Sequence, residues 1–521
     1  MEKTALQISL PGQAASERSL NYSPCRPTRA SRALVLCACL LQILLGTILA
    51  LTRVPLCDEG YYGVPAHVLS VTGALRNPIL ESAGIDYLRG IDRALYWMAP
   101  MGVVLQAGAF KVFGFGLLVQ RELSVVCGLG ALLLWYLALR SLAPDRVAAL
   151  ATVILSADFV FGGLSSLGRS DIISLFFAMA ALAGYMHWRE RSLTLALAVA
   201  NTACALSGMV HPNGGIAAVL SVAVLALYLD RTRLRWSHLC IVAACYGVLA
   251  VAWGLYIAKA PDLFQAQFLG NVANRFAGPM TLSRLVKGEV IRYLSAWSLE
   301  NARGVKLARY LLPVSYLFAI LFCLLSTGVR RRSRVLLLMF AAISLSLVFG
   351  EGSKQGWYLV HLTPLFAAFL AIAASSLWES GHIPGRVAAA AQLGIVLLGV
   401  GSLAHTAGNR NLQRVYQPTI AFLNAHVGQR DLLIAGSEFY FGLQCRTCLR
   451  DDSNLGAISG RRADYIVLSP DYDAHLAQLR QTTPATCRDI ERRLSMEYKE
   501  VFRMVDYRVL RRATAGSGTT P

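Results

Sequence analysis

Two adjacent carboxylates, Asp58 and Glu59, follow the first long apolar run directly and precede Gly60 and the aromatic pair Tyr61 and Tyr62. A carboxylate at a membrane surface can draw the proton from an acceptor hydroxyl and raise the nucleophilicity of its oxygen in the transition state. The same loop holds Glu81, Asp86, Asp92 and Arg93, the last two just before Leu95-Tyr96-Trp97. Three shorter polar segments interrupt apolar runs further along. Ser165-Ser166-Leu167-Gly168-Arg169-Ser170-Asp171 sets Arg169 two residues from Asp171, readable as a local ion pair or as part of a site, with Asp158 half-buried upstream. His211-Pro212-Asn213-Gly214-Gly215 is strong turn chemistry and reads as a turn or as a site element. Glu351 to His361 gathers Lys354, Trp357, Tyr358 and His361; a fixed cation beside glycines suits a phosphate, while the two aromatics alone fit an interfacial belt. Acids that deprotonate an acceptor, with cations that neutralise a departing phosphate, suit glycosyl transfer from a lipid phosphate.

These groups need elements that bring them to one face, and the composition names the kind. Of 521 residues, 55% are hydrophobic and 15% charged, with mean hydropathy +0.50, which excludes a water-soluble fold. Apolar runs suited to helical spans, at about 20 residues each, are read at 33–52, 119–139, 147–163, 171–187, 192–210, 214–229, 238–258, 308–327, 335–350, 357–377 and 387–406, about eleven in all. The net charge of +19 does not point to nucleic acid, because its basic residues cluster between apolar runs, where they set orientation. The polar tail 1–32, with Arg26, Arg29 and Arg32, reads as cytoplasmic and the first run as a retained signal anchor.

The stretch 95–118 decides the topology. If it does not span, the clusters at Arg140/Arg146, 187–191, Arg231/Arg233/Arg235 and 330–334 all share the side of the basic N-terminus; if it spans, all four move outside. It is therefore read as interfacial or re-entrant, with Lys111 breaking its apolar face. Residues 53–118 then form one large external loop, and 164–170, 211–213, 259–307 and 351–356 join it on the same, periplasmic face. The loop 259–307 is basic (Lys259, Arg275, Arg284, Lys287, Arg292, Arg303 and Lys306 against Asp262, Glu289 and Glu300). It reads either as a long loop indifferent to the charge rule or as a surface for phosphate-bearing lipid.

Beyond about residue 410 the pattern changes. Runs 431–436 and 463–469 read as buried strands and 414–428 and 472–481 as amphipathic helices, giving a small external α/β domain over 410–511 and a disordered tail at 512–521. Its Cys445, Cys448 and Cys487 could form a disulfide in an oxidising compartment, with a metal knuckle as the weaker rival. Cys37, Cys39, Cys127, Cys204, Cys240, Cys245 and Cys323 lie in apolar runs and read as small hydrophobes. The expected fold is thus mainly α: a polytopic helical bundle over 33–406 with a small C-terminal α/β domain. The sequence holds no P-loop and no Rossmann glycine fingerprint.

At these residues the chain resembles the GT-C superfamily of polytopic glycosyltransferases, in particular aminoarabinose transferases and protein O-mannosyltransferases. The matching pieces, in family order, are Asp58-Glu59-Gly60-Tyr61-Tyr62, Arg93-Ala94-Leu95-Tyr96-Trp97 running on to Lys111-Val112-Phe113-Gly114, Arg121-Glu122-Leu123-Ser124, Arg169-Ser170-Asp171 and Lys354-Gln355-Gly356-Trp357-Tyr358. The resemblance implies Asp58, with Glu59 beside it, as the acid acting on the acceptor, Asp171 as a second acid, and Lys354 and Arg93 as contacts to donor phosphate. Arg169, Tyr358 and His361 are the remaining expected substrate contacts. Where relatives often carry a proline pair, this chain has Ala94-Leu95. Some relatives bind a divalent metal near the first acids; Glu81 and His361 are the candidates here, without a compelling ligand spacing. The implied partners are a polyprenyl-phosphate sugar, membrane lipids and a lipid, glycan or protein acceptor, serving envelope glycosylation at a bacterial-type inner membrane. A transporter or flippase for a lipid-linked glycan is the rival reading; it calls for internal repeats and helices broken near mid-membrane.

Overall fold

The computed structural model describes residues 27–276, 281–297 and 306–513. Most of the N-terminal tail, Glu300 and Arg303 of the basic loop, and residues 514–521 lie outside the described residues. The first helices are α1 Arg29–Thr52, α2 Cys57–Thr72, α3 Pro100–Phe113, α4 Leu117–Leu139, α5 Asp145–Ala157, α6 Phe159–Ser165, α7 Ser170–Trp188, α8 Leu193–Val210, α9 Pro212–Leu229 and α10 Trp236–Ile257. They are followed by α11 Pro261–Phe264, α12 Gly270–Arg275, α13 Leu282–Ala296, α14 Lys306–Leu325, α15 Thr327–Gly350, α16 Thr363–Glu379 and α17 Gly385–Gly408. Helix α7 is central, packing on α4, α8 and α9 around buried Ile172, Leu175, Ala178 and Leu182.

By length and composition, eight helices among the described residues can cross a membrane: α1, α4, α7, α8, α9, α10, α15 and the helix beginning at Gly385. The expected span 147–163 is a bent pair, α5 and α6, meeting at 64°. Asp158 makes the break: it is buried, not half-buried, and its Oδ1 accepts from Val160 N and Phe161 N, each at 2.9 Å, capping a new helix. The expected spans 308–327 and 357–377 form shorter apolar helices. The second begins late because Gly356–His361 is a 3-10 turn and Pro364 fills the first turn of α16, so His361 precedes the helix. The basic run 330–334, expected in a loop, is helical, forming the first turns of α15. Arginine is a good helix former, so the helix extends through the basic run ahead of its apolar part.

The stretch 95–118 contains α3, whose 14 residues extend about 21 Å, short of the roughly 30 Å of hydrocarbon. It packs on α2 through Val103, Ala107, Phe110 and Ala66. Helix α2 ends at Gly73, which takes the left-handed conformation (φ 73°) that closes a helix at little cost only for glycine.

The C-terminal part comprises α18 Gln417–His426, α19 Pro470–Thr482, α20 Pro484–Glu497 and strands β1 Leu433–Ile434, β2 Leu449–Arg450, β3 Tyr465–Leu468, β4 Tyr498–Arg503 and β5 Arg508–Arg512. Sheet order is β2-β1-β3-β5-β4, with β1 parallel to β2 and β3 and β5 antiparallel to β3 and β4. Alternation along the strands splits the core. Leu433, Tyr465, Val467 and Val509 face Val64 of α2, while Ile434, Ile466, Leu468 and Leu510 face Tyr472, Leu476 and Ile490 of α19 and α20. The sheet thus rests on the first loop, reinforced by a bridge between Leu80 and Asp451. The disulfide joins Cys445 to Cys448, and Cys487 is a buried free thiol.

Candidate active site

The first turn of α2 carries both acids, and the rotation of about 100° per helical residue sends them to different surroundings. Glu59 is fully buried and every contact it makes is to the scaffold. Its Oε1 accepts from Arg121 Nε and Gly168 N, each at 2.8 Å, and its Oε2 from Arg121 Nη2 at 2.7 Å and Leu56 N at 3.0 Å. Burial pushes the Glu59 carboxyl up, but the Arg121 ion pair and these donors outweigh it and hold it below its usual range. Arg121 also donates to Ala50 O at 2.8 Å and Arg53 O at 2.9 Å, closing the end of α1. The Gly168 carbonyl in turn accepts from Gln106 Nε2 at 3.0 Å and Gln120 Nε2 at 2.7 Å. Side chains from α2, α3 and α4 therefore fix the peptide that presents Arg169.

Asp58, its side chain 36% exposed, turns the other way and pairs with Arg169. Arg169 is buried; its Nε donates to Asp171 Oδ2 at 2.9 Å, so one guanidinium joins the two carboxylates. Its plane lies over Trp357, 4.7 Å from the ring centre, an arrangement that keeps water off the cation. Asp171 is fully buried, and its Oδ1 has no hydrogen-bond partner among the described residues.

Around this trio, Ser170 Oγ donates to Tyr62 Oη at 2.9 Å and Arg275 Nη1 donates to Tyr358 Oη at 3.2 Å. Tyr358 packs on His211 with ring centres 5.1 Å apart. His211 and His361 lie within Coulombic reach of Asp171. Both nitrogens of His361 and Nδ1 of His211 are buried without hydrogen-bond partners among the described residues. Gly214 makes room for this pair, since a Cβ there would stand 2.8 Å from His361 Cε1. The result is a buried polar wall with unused donors and acceptors beside a partly exposed carboxylate.

The other expected residues lie elsewhere. Lys354, in a left-handed conformation (φ 55°), pairs with Glu289 at 3.0 Å and donates to the carbonyls of Leu347 and Val348 at the end of α15. With Arg275, Arg284 and Lys287 it lines a crevice of about 430 Å³ between α13 and α15. Arg93 is exposed and forms no ion pair among the described residues. Its loop is held by Gln267, whose Oε1 accepts from Tyr96 N at 2.7 Å and Trp97 N at 3.1 Å. Glu81 pairs with Arg461 at 2.7 Å and ties the first loop to the C-terminal domain. Glu81 and His361 are not gathered, and among the described residues no three His, Cys, Asp or Glu side chains converge as metal ligands.

Gln106, Gln120, Arg121, Arg275, Trp357, Tyr62 and His211 were not among the residues expected to form the site, although Arg121, Tyr62 and Trp357 lie in the motifs and Arg275 and His211 in polar segments singled out from the sequence. For the first three the signal was present as polar side chains inside apolar runs, which demand a partner. Behind α2 stands a second buried acidic group in the C-terminal domain. Asp451 accepts from Ser437 Oγ at 2.6 Å and Tyr472 Oη at 2.9 Å, and burial pushes its carboxyl up to about 6. Burial and nearby Asp471 push Glu438 well above the carboxylate range. The contact with α2 is close, for a Cβ on Gly60 would stand 2.3 Å from Ser437 C.

No family model and no curated protein matches the sequence. Solved structures do match in fold. ArnT from Cupriavidus metallidurans bound to undecaprenyl phosphate superposes with a TM-score of 0.61 at 15% identity, covering 93% of this chain and 98% of that one. The Archaeoglobus fulgidus oligosaccharyltransferase in complex with Zn and sulfate gives 0.53 at 13% identity, covering 87% and 70%. The oligosaccharyltransferase AglB from the same organism, with an inhibitory peptide and a dolichol-phosphate, gives 0.50 at 12%, covering 88% and 72%. The chain has the fold of the GT-C superfamily: a polytopic helical bundle with a small C-terminal α/β part.

Proposed function

We propose that this chain is a membrane glycosyltransferase that moves a sugar from a polyprenyl-phosphate donor to a hydroxyl of a lipid, glycan or protein acceptor on the non-cytoplasmic face. The observation that carries the reading is Arg169 joining the partly exposed Asp58 to the buried Asp171 beneath Trp357. That the fold is shared with proteins solved with undecaprenyl phosphate and dolichol-phosphate adds support. The external, periplasmic placement rests on the charge distribution between spans.

In this mechanism the acceptor oxygen attacks the anomeric carbon as its proton passes to Asp58. The new bond to the acceptor forms while the bond from that carbon to the phosphate oxygen breaks, and polyprenyl phosphate leaves with the electron pair. Arg169 aims Asp58 through their ion pair, and Asp171 fixes Arg169 from behind. Arg275 neutralises the departing phosphate, joined by Lys354 only when it leaves Glu289, with Tyr358 and His361 lining the donor side. Glu59 acts as a positioning residue, because its oxygens are committed to Arg121, Gly168 and Leu56. Arg93 has a phosphate role only if its loop turns inward.

Purified protein incubated with labelled polyprenyl-phosphate sugars is expected to transfer label, and Asp58→Asn to lower transfer by about a hundredfold or more; undiminished transfer in the variant removes Asp58 from the mechanism. The break at Asp158 is a feature that favours a transporter. Asp158 is engaged, however, by Val160 N, Phe161 N and Tyr316 Oη, the last at 2.9 Å, leaving no group for cargo. Absence of transfer from every donor would nonetheless return that reading.

A further inference from the structure

Helix α13 is polarised opposite to a helix bathed in water. Its protein-facing side carries Arg292, which is fully buried, donates to Leu347 O at 3.0 Å and pairs with Glu351 at 2.9 Å. Glu289, on the same side, pairs with Lys354. Its outward side carries Leu282, Val286, Val290 and Leu294 at four-residue spacing with Ile291 beside them, all exposed, Leu282 by 77% and Ile291 by 61%. Four-residue spacing keeps neighbouring side chains on one face of a helix, so these form a continuous stripe, edged by the exposed Arg284 and Lys287. Contiguous apolar surface of this kind facing outward marks contact with another apolar phase.

The adjoining surface identifies that phase. Helix α14 exposes Leu311, Val314, Leu317 and Phe318, and the last turns of α15 expose Leu345 and Phe349. Phe349 and Ile291 line the same crevice, so the stripe on α13 continues the outward face of the bundle, where the surrounding medium is lipid. At 15 residues α13 extends about 22 Å, too short to cross roughly 30 Å of hydrocarbon. It sits at the end of α15 that also holds Glu351 and Lys354.

We propose that α13 is an in-plane helix seated in the bilayer leaflet at the site's end of the bundle, its Leu282–Val286–Val290–Leu294 stripe among acyl chains and Arg284 and Lys287 level with the lipid phosphates. Arg292 and Glu289, in ion pairs, then strap a lipid-embedded element to the protein, and the charges on its edge favour an anionic leaflet.

The test places the photo-crosslinking residue benzoylphenylalanine at Val290 in the full chain, reconstituted in vesicles of phosphatidylcholine and radiolabelled phosphatidylglycerol. Leu317 on α14 serves as the lipid-facing reference and Asp489, exposed on α20, as the extramembrane one. Lipid adduct at Val290 is expected to match that at Leu317 and exceed that at Asp489 by about tenfold. Labelling at Val290 no higher than at Asp489, or a crosslink there to a second copy of the chain, overturns the proposal. Labelling at Leu317 reports in parallel that the bundle is folded and inserted. No sugar donor takes part, so this outcome is separate from that of the transfer assay.

Discussion

Glu59 and Asp58 are neighbours in sequence with opposite fates. Glu59 is dry and saturated by donors from Leu56 just ahead of α2, from α4 and from the 164–170 segment. Asp58, one residue away, keeps a third of its side chain in contact with the outside and a single guanidinium partner. The difference teaches that identical chemistry becomes scaffold or site according to how many contacts are spent on the fold. A carboxylate that accepts every proton offered by its own protein has none left to accept from a substrate. The same contrast separates Arg121, which closes α1 and clamps Glu59, from Arg169, which joins a buried acid to a partly exposed one.

The sharpest way to break that contrast is to exchange the fates. Asp58→Asn is expected to lower transfer by about a hundredfold to ten-thousandfold while leaving thermal stability nearly unchanged, as measured by label transfer and by melting of the purified protein. Arg121→Ala should do the reverse, costing about 3–5 kcal/mol of stability by leaving Glu59 buried and unpaired. Its measurement is recovery and denaturation midpoint in detergent, and a double change with Glu59→Gln should regain part of the loss. An Arg121→Ala protein as stable as wild type would show that the clasp is not structural.

The acids behind α2 are next in size. Asp451, raised to about 6, is protonated more readily in the folded protein than in the unfolded chain. Its contribution is therefore fully present below the unfolded value near 4 and is lost as pH rises through about 6, a change of about 3 kcal/mol. Hydrogen-exchange protection of the C-terminal sheet should fall over that window in wild type and fall less in Asp451→Asn, where Glu438 is the raised carboxyl that remains. Gly168→Ala comes next, since the new Cβ would lie 2.5 Å from Gln120 Cδ; a loss of about 1–3 kcal/mol is expected, read from the melting temperature. The smallest effect is that of Lys354→Ala. A rise in KM for the lipid-phosphate donor of about tenfold at similar kcat would mark it as a binding group, one charge-assisted contact being of that size.

Much of the molecule was legible in the chain. The apolar runs named their helices, because a stretch that must satisfy every backbone group in hydrocarbon has little choice but helix. The short apolar run in 463–469 named β3 as a buried strand, and the motifs at 58, 169 and 354 marked places where polar groups interrupt the membrane runs. The breaks inside runs were less legible. Asp158 and Pro364 end one helix and start another by local capping chemistry, which a hydropathy window averages away. Arg275 and the inward charges of α13 were read as part of a basic loop. Their partners Tyr358 and Glu351 lie far along the chain.

By itself the sequence determined that the chain is a membrane bundle with a small sheet at its end, and which polar residues stand out against hydrocarbon. Only the tertiary structure decided which of them are spent and which remain available. Glu59 finds Gly168 at a separation of 109 residues. No local pattern reports such a contact, because the two groups are joined by packing of α2, α3, α4 and α7 rather than by periodicity along any one of them.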